Sequence, residues 1–247
     1  MSPKKIACMA GWGIILLISI AVESAWGKVD QATRYLERSA SLTGPTGWIN
    51  IPSASVPGSG QLSAGIHLNK AKVNFGLWEV LEGGFFFDAD RLGEQFEPYR
   101  NLSRWDLAEK NVPGFIREAF RGQGKIKLID QDWGGVSLAA GVEEQDGYVV
   151  MQRFFPGLSR VSMVAGWGEG RFSQGFAGLG KTLFPGAELL FEYDGRGINM
   201  GMRLLLAPNL IMTYAGRNLD TVGEVKNLGQ VISQHLSFGI TYVEQLW

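Results

Sequence analysis

The chain holds a single cysteine, Cys8, and two histidines, His67 and His235, in 247 residues. Cys8 lies ahead of an N-terminal apolar core, where a lipoprotein-modification cysteine would not stand. Everything after that core is free of cysteine, which excludes a disulfide framework and thiolate chemistry. Two histidines fall short of the three or four ligands that a metal site usually takes. Beyond the first 22 residues no apolar run approaches the ~20 residues of a membrane helix. Neither sign of charge dominates, with 23 Lys plus Arg against 24 Asp plus Glu. That balance gives no electrostatic footprint for nucleic acid. No Gly-x-Ser-x-Gly elbow occurs, so a hydrolase of that kind has no support.

Glycine, by contrast, is abundant: 34 residues, near twice the usual ~7%. It is spread along the chain and mixed with aromatics, unlike a linker. Between the glycines run segments of strict apolar/polar alternation, and residues 187–206 are the clearest. Leu189, Phe191 and Tyr193 alternate with Glu188, Leu190 and Glu192. After Gly195-Arg196-Gly197 the pattern resumes, with Ile198, Met200 and Met202 against Asn199, Gly201 and Arg203. Alternation on both sides of a glycine turn is the sequence form of a β-hairpin. With Gly195 and Arg196 as a two-residue turn, Tyr193 faces Ile198, Phe191 faces Met200 and Leu189 faces Met202. On the other face Glu192 meets Asn199 and Glu188 meets Arg203.

The same pattern recurs at 62–69, 73–77, 81–87, 125–129, 136–143, 148–155, 160–167, 172–183, 210–217 and 235–242. The weakest is 73–77, and the facing of 148–155 and 172–183 is ambiguous. Including the hairpin, the reading is all-β with about twelve strands, ten to twelve being the range. Proline turns at Pro156, Pro185 and Pro208 follow every second strand. The long connections, 90–124 and 219–233, fall at the other end. Within the first of them Ser103 is placed to cap a helix through Lys110, and Phe115 to Arg121 reads as a further helical turn.

The N-terminus has the layout of a secretory signal peptide. Lys4 and Lys5 precede an apolar core at 13–20, and Ala25-Trp26-Gly27 offers small residues for cleavage near Gly27. The expected organisation is a signal peptide at 1–27, a periplasmic or plug-like segment at 28–59 rich in Gly and Pro, and a barrel at 60–247. A short helix is expected around 32–38. In a bilayer every backbone polar group must be paired, which a sheet of strands achieves only by closing on itself. The leader, the lack of cysteine after it and the nearly uncharged apolar faces favour an antiparallel up-and-down transmembrane barrel over a soluble sandwich. Trp78, Trp133 and Trp167 fall near strand ends, where aromatic girdles sit. The expected location is the bacterial outer membrane, with lipid as a partner. Both termini and the proline turns are expected on the periplasmic side. The polar residues assigned to the lumen are His67, Lys125, Lys127, Glu143, Arg160, Glu188, Glu192, Asn199, Arg203, Arg217 and His235. At this strand number the lumen is either a narrow pore or filled by side chains, and the pattern leaves both open.

Two motifs carry a family resemblance. The first comprises Gly47, Trp48, Ile49, Asn50, Pro52, Ser53 and Ala54, with Gly60 ahead of the first strand. The second is Glu192-Tyr193-Asp194-Gly195, followed by Asn199 and Gly201. With a closing strand at 237–242, these resemble YjbH-type proteins, outer-membrane β-barrels linked to exopolysaccharide production. Larger members of that family are longer, so the resemblance implies a short, single-barrel form. It implies no catalytic residues and no cofactor. The partners it implies are polysaccharide and other proteins of the exopolysaccharide system.

Three constellations bear on chemistry. Gly175 to Thr182 fits G-x-x-x-x-G-K-[ST], a motif that needs a following helix N-terminus to hold phosphate. Pro185 and Gly186 follow too closely for a helix to start, so no nucleotide is expected. His67 and His235, on strands that closure pairs, are read as lumen residues rather than a metal site. Glu188 and Glu192 are read as part of a ladder with Arg203 and Asn199 rather than as a glycosidase pair. The expected function is non-enzymatic: an outer-membrane barrel that assists export or assembly of extracellular polysaccharide. The alternatives are a small-solute channel and, further off, a barrel-embedded enzyme acting on lipid or glycan.

Overall fold

The computed structural model describes Leu36 and residues 39–42, 45–67, 70–91, 119–155, 160–224 and 235–247. The expected leader, the helix at 103–110 and most of the two long connections lie outside the described residues. So does the helix around 32–38 apart from Leu36.

Twelve strands close into one antiparallel barrel. They are β1 (Gln61–His67), β2 (Lys70–Leu77), β3 (Leu81–Asp88), β4 (Phe120–Ile129), β5 (Ser137–Glu143) and β6 (Asp146–Phe155), then β7 (Val161–Gly168), β8 (Phe176–Phe184), β9 (Ala187–Tyr193), β10 (Ile198–Ala207), β11 (Leu210–Gly216) and β12 (Leu236–Gln245). Each pairs with the next, and β12 closes on β1 from Gln61↔Gln245 to His67↔Gly239. The β9–β10 register is Tyr193↔Ile198, Phe191↔Met200, Leu189↔Met202, Glu192↔Asn199 and Glu188↔Arg203, as the alternation predicts. Its turn is set by Gly195 at φ 86° and by the Asp194 side chain, whose Oδ1 accepts from the N–H of Arg196 at 3.0 Å and of Gly197 at 3.1 Å.

Two expectations are corrected here. Phe172 does not open the eighth strand; it ends a 3₁₀ turn, Gly170–Phe172, and β8 begins at Phe176. Positive φ at Gly170 and Gly175 breaks the extended chain there. The last two residues of the helix expected at Phe115 to Arg121 are strand, because Phe120 and Arg121 pair with Phe87 and Phe86. The long connection therefore ends before Gly124. The Gly175–Thr182 stretch runs into β8, and Lys181 and Thr182 are strand residues facing opposite sides of the wall.

The outer surface is a band of apolar side chains, including Ile66, Phe85, Val149, Met163, Phe191, Met200, Tyr214 and Ile240. The core lies inside the barrel. Trp48, Ile49, Ile51 and Ala54 pack there against Ala139, Tyr148, Val150, Val164, Phe172, Phe176 and Leu190 from the inner wall. The stretch Pro45 to Ser53 therefore occupies the lumen as a folded insert. Proline and glycine shape it into stacked turns: the Trp48 N–H donates to the Ile51 carbonyl at 2.9 Å, Leu42 N–H to Ile49 at 2.7 Å and Ser53 N–H to Thr46 at 3.1 Å. Gly47 is required at the neck, since a Cβ there would run into the Ile51 carbonyl.

The wall is hollowed to receive this insert. Inward positions 178 and 180 of β8 and 201 of β10 are glycine. A Cβ at 178 would meet the Trp48 indole, and one at 201 would lie 2.9 Å from Ile49 Cδ1. Gly178→Val is expected to lower unfolding free energy by about 1–3 kcal/mol, the usual cost of overpacking, and the loss should shrink when Trp48→Ala vacates the space. Equal losses with and without the indole, in a double-mutant unfolding cycle, would show that residue 178 does not sense it.

Candidate functional site

The inner wall presents charges, and the insert presents backbone groups to them. Glu192 on β9 is fully buried, and its carboxylate accepts from the N–H of Ile49 at 3.1 Å and of Asn50 at 2.7 Å. Asn199, its partner across the β9–β10 pair, donates to it at 3.1 Å. These amides stand 143 and 142 residues away in sequence. The two motifs that carry the family resemblance are thus halves of one hydrogen-bonded seat.

Arg203 on β10 supplies the opposite charge. Its guanidinium donates to the carbonyls of Leu36 at 3.1 Å and Trp48 at 2.7 Å, and to that of Gly47, with Glu188 3.8 Å away. A third anchor joins β3 and β4. Lys125 and Glu82, both with wholly buried side chains, pair at 2.8 Å. Lys125 also donates to the carbonyls of Thr46 at 2.9 Å and Ser53 at 3.2 Å, while Glu82 accepts from the Thr46 N–H at 2.7 Å. Gln152 on β6 accepts from the Ala54 N–H at 3.1 Å and the Ser55 hydroxyl at 3.2 Å.

The tip of the insert is Asn50, and it reaches the end of the barrel opposite the chain terminus. Its side-chain amide donates to Asp194 at 2.8 Å, and its carbonyl accepts from Arg171 at 3.0 Å. Arg171 is held in turn by Glu143 at 2.9 Å. Around this tip the strand-end turns enclose a polar vestibule of about 360 Å³, lined in part by Asp146, Arg171, Asp194, Arg196 and Arg217. Burial acts to raise the Asp194 carboxyl, but hydrogen bonds from Asn50, Asn199, Arg196 and Gly197 outweigh it and hold the group below its ordinary value. Burial lowers the Arg217 guanidinium, offset in part by the Asp194 charge.

The other residues assigned to the lumen fall in several places. His67 is buried on the inner face of β1, with its Nε2 3.0 Å from the Thr241 hydroxyl. His235 precedes β12, and its Nδ1 lies 2.8 Å from the Arg217 carbonyl. Closure sets His67 opposite Gly239, four positions along from His235, so about 13 Å of strand separates the two. Among the described residues no cluster of His, Cys, Asp or Glu has metal-binding geometry. Lys127 pairs with Asp130 at 2.6 Å where β4 ends, and that pairing, working with the Asp132 and Gln131 amides against burial, lowers the Asp130 carboxyl. Arg160 sits before β7 at φ 56°, in a turn rather than on the strand.

Three residues that hold the insert or its tip do not stand out in the sequence: Glu82, Gln152 and Arg171. Glu82 was within reach, since it lies directly across from Lys125 in the β3–β4 register. Gln152 was hidden because β6 is apolar on both faces, Tyr148 and Val150 inward and Val149 and Met151 outward. Arg171 lies in the 3₁₀ turn, where alternation has no meaning. No protein-family model matches the chain, and a search of curated proteins returns no match.

Glu192→Ala would leave the buried Ile49 and Asn50 amides without an acceptor, at about 1–3 kcal/mol each. Hydrogen exchange and proteolysis within 45–54 are expected to accelerate while the strands keep their protection. Unchanged exchange in the insert would show that Glu192 does not hold it.

Proposed function

We propose that this chain is a bacterial outer-membrane barrel, closed inside by its own N-terminal segment, that assists export or assembly of extracellular polysaccharide without catalysing a reaction. The observation that carries the first half is the pairing of an apolar outer wall with a charged, filled interior. Such a surface needs lipid around it, because so large a continuous apolar exposure is not tolerated in water. Trp78, Trp133 and Trp247 are strongly exposed at the end that bears the chain terminus, and Trp167 at the other, in keeping with interfacial girdles. Exposed Arg153 and Lys181 lie on β6 and β8 toward the terminus end, where long cations reach headgroups. A leader cleaved near Gly27 fits this reading.

The polysaccharide half rests on the resemblance to YjbH-type proteins. It gains weight from the meeting of the two motifs in one seat. Residues 49–50 and the carboxylates of Glu192 and Asp194 satisfy one another's polar groups. A seated insert weighs against a freely open small-solute channel. The arrangement of carboxylates fits a holding role rather than catalysis, since Glu188 and Glu192 are each engaged with wall or insert groups.

Two tests address the two halves. Met200→Arg turns a charge onto the outer wall and is expected to cost about 2–4 kcal/mol in lipid if the site lies near the bilayer midplane; a negligible change in unfolding free energy would sink the outward-to-lipid assignment. In planar bilayers the protein is expected to be nearly silent, and a Glu192→Ala/Arg203→Ala variant to conduct. Cells lacking the chain are expected to release less extracellular polysaccharide, and unchanged release would overturn the export reading.

A further inference from the structure

The vestibule around Asn50 is a built cavity whose charges are not all used. Arg171 is paired with Glu143, Arg91 with Glu144 at 3.0 Å and Lys70 with Asp88 at 3.1 Å. Arg196 and Arg217 have no carboxylate within ion-pair distance among the described residues, although both line the cavity. The Nε atoms of Arg171 and Arg217 are buried without a hydrogen-bond partner. Buried N–H donors of this kind are normally satisfied, so each marks a place for an acceptor. At about 360 Å³ the space is within the ~300–1,000 Å³ of small-molecule sites.

The mixture of signs narrows the ligand. Two guanidinium groups with no carboxylate in ion-pair contact among the described residues suit an oxyanion, which Arg binds in a bidentate fork. The carboxylates of Glu143, Asp146 and Asp194, which line the same space, would repel a ligand of high negative charge, such as a polyphosphate. They are acceptors for hydroxyl groups. A ligand with one carboxylate per unit and several hydroxyls meets both demands, and that is an acidic sugar. The floor is also preset: Asn50 is locked by Asp194 and Arg171, so little ordering is left to binding.

We propose that this vestibule binds an acidic saccharide, a uronate unit, through Arg196 and Arg217. The inference rests on the polysaccharide reading and names the class of polymer unit it would contact. The sugar carboxylate lies between the two guanidinium groups, and its hydroxyls face Glu143, Asp146 and the tip of the insert.

The test uses the full chain in detergent or lipid discs, with trigalacturonate as the probe. Isothermal titration is expected to show binding at least tenfold tighter than for a neutral trisaccharide or inorganic phosphate, weakening as salt rises. Arg196→Gln/Arg217→Gln should lose that binding by tenfold or more, while Arg153→Gln, at the other end of the barrel, should keep it. Heat-modifiable migration checks that each variant is folded. Should the double variant not fold, the exposed Arg196→Gln alone is expected to lose several-fold. No binding, equal affinity for the neutral sugar, phosphate binding as tight as the uronate, or folded variants with unchanged affinity would each overturn the site. Absent uronate binding in cells that still depend on the chain for polysaccharide release would overturn this inference and leave the export reading standing.

Discussion

A closed barrel with charges on its inner wall has to satisfy them without bulk water, and here a stretch of its own backbone does so. An ion moved into a protein interior loses several kcal/mol of hydration, and a partner recovers it only with good geometry. Glu192, Arg203 and the Lys125–Glu82 pair are all deeply buried. Each meets peptide groups of the matching sign: two N–H groups for Glu192, three carbonyls for Arg203, two carbonyls for Lys125 and one N–H for Glu82. The insert gains as well. Its tight turns leave backbone groups that no strand could pair, and buried backbone groups must find partners somewhere. At these positions wall and insert therefore solve one another's polar deficit.

Shape follows the same reciprocity. Glycine in a strand interior weakens it and is kept where another chain approaches closely. At 178 and 201 the approaching side chains include Trp48 and Ile49, while at 180 the nearest atoms are those of Ser162 and Glu188 on the wall. The abundance of glycine that stands out in the composition is thus in part the imprint of the insert on the wall. The apolar residues of that imprint, Tyr148, Val150, Val164, Phe176 and Leu190, are inward, which is unusual for a water-filled channel and natural for a packed interior.

This division explains what could be read from the chain and what could not. The strands, their number and the β9–β10 register were legible because period-two alternation and a glycine turn are local signals, and a one-residue slip would reverse every face. The seat was not. Nothing local in Trp48-Ile49-Asn50 says that its amides meet a carboxylate 143 residues later. The facing of β6 was obscured for a physical reason: a wall in contact with an apolar insert on one side and presenting apolar residues on the other loses its alternation. Phe172 heads a Gly-rich stretch whose strand facing is ambiguous in the sequence, yet it turns inward to pack against Tyr148 and Phe176, with ring centroids 5.0 and 5.3 Å away. The alternation names polar inward positions one by one and not as one connected surface, since connection depends on what fills the space between them.

The same interlocking constrains how such a barrel opens. Withdrawing the insert would break charge-assisted hydrogen bonds at Glu192, Arg203 and Lys125, each worth about 1.5–3 kcal/mol net. Together with the lost packing of Trp48 and Ile51 this is on the order of several kcal/mol, and every 1.4 kcal/mol lowers the open population tenfold. Water entering the emptied lumen would return part of that at the charged positions, while wetting the inward Tyr148, Val150, Val164, Phe176 and Leu190 would add to the cost. The balance therefore favours closure strongly. Asn50 makes the tip of the insert part of the vestibule floor, through Asp194 and Arg171. Whatever occupies the vestibule consequently bears on the one element that closes the lumen. A ligand that drew Arg171 away from the Asn50 carbonyl would release one anchor of three kinds, tip, wall charge and packing. The other two would still hold, so occupancy of the vestibule alone is insufficient to empty the barrel.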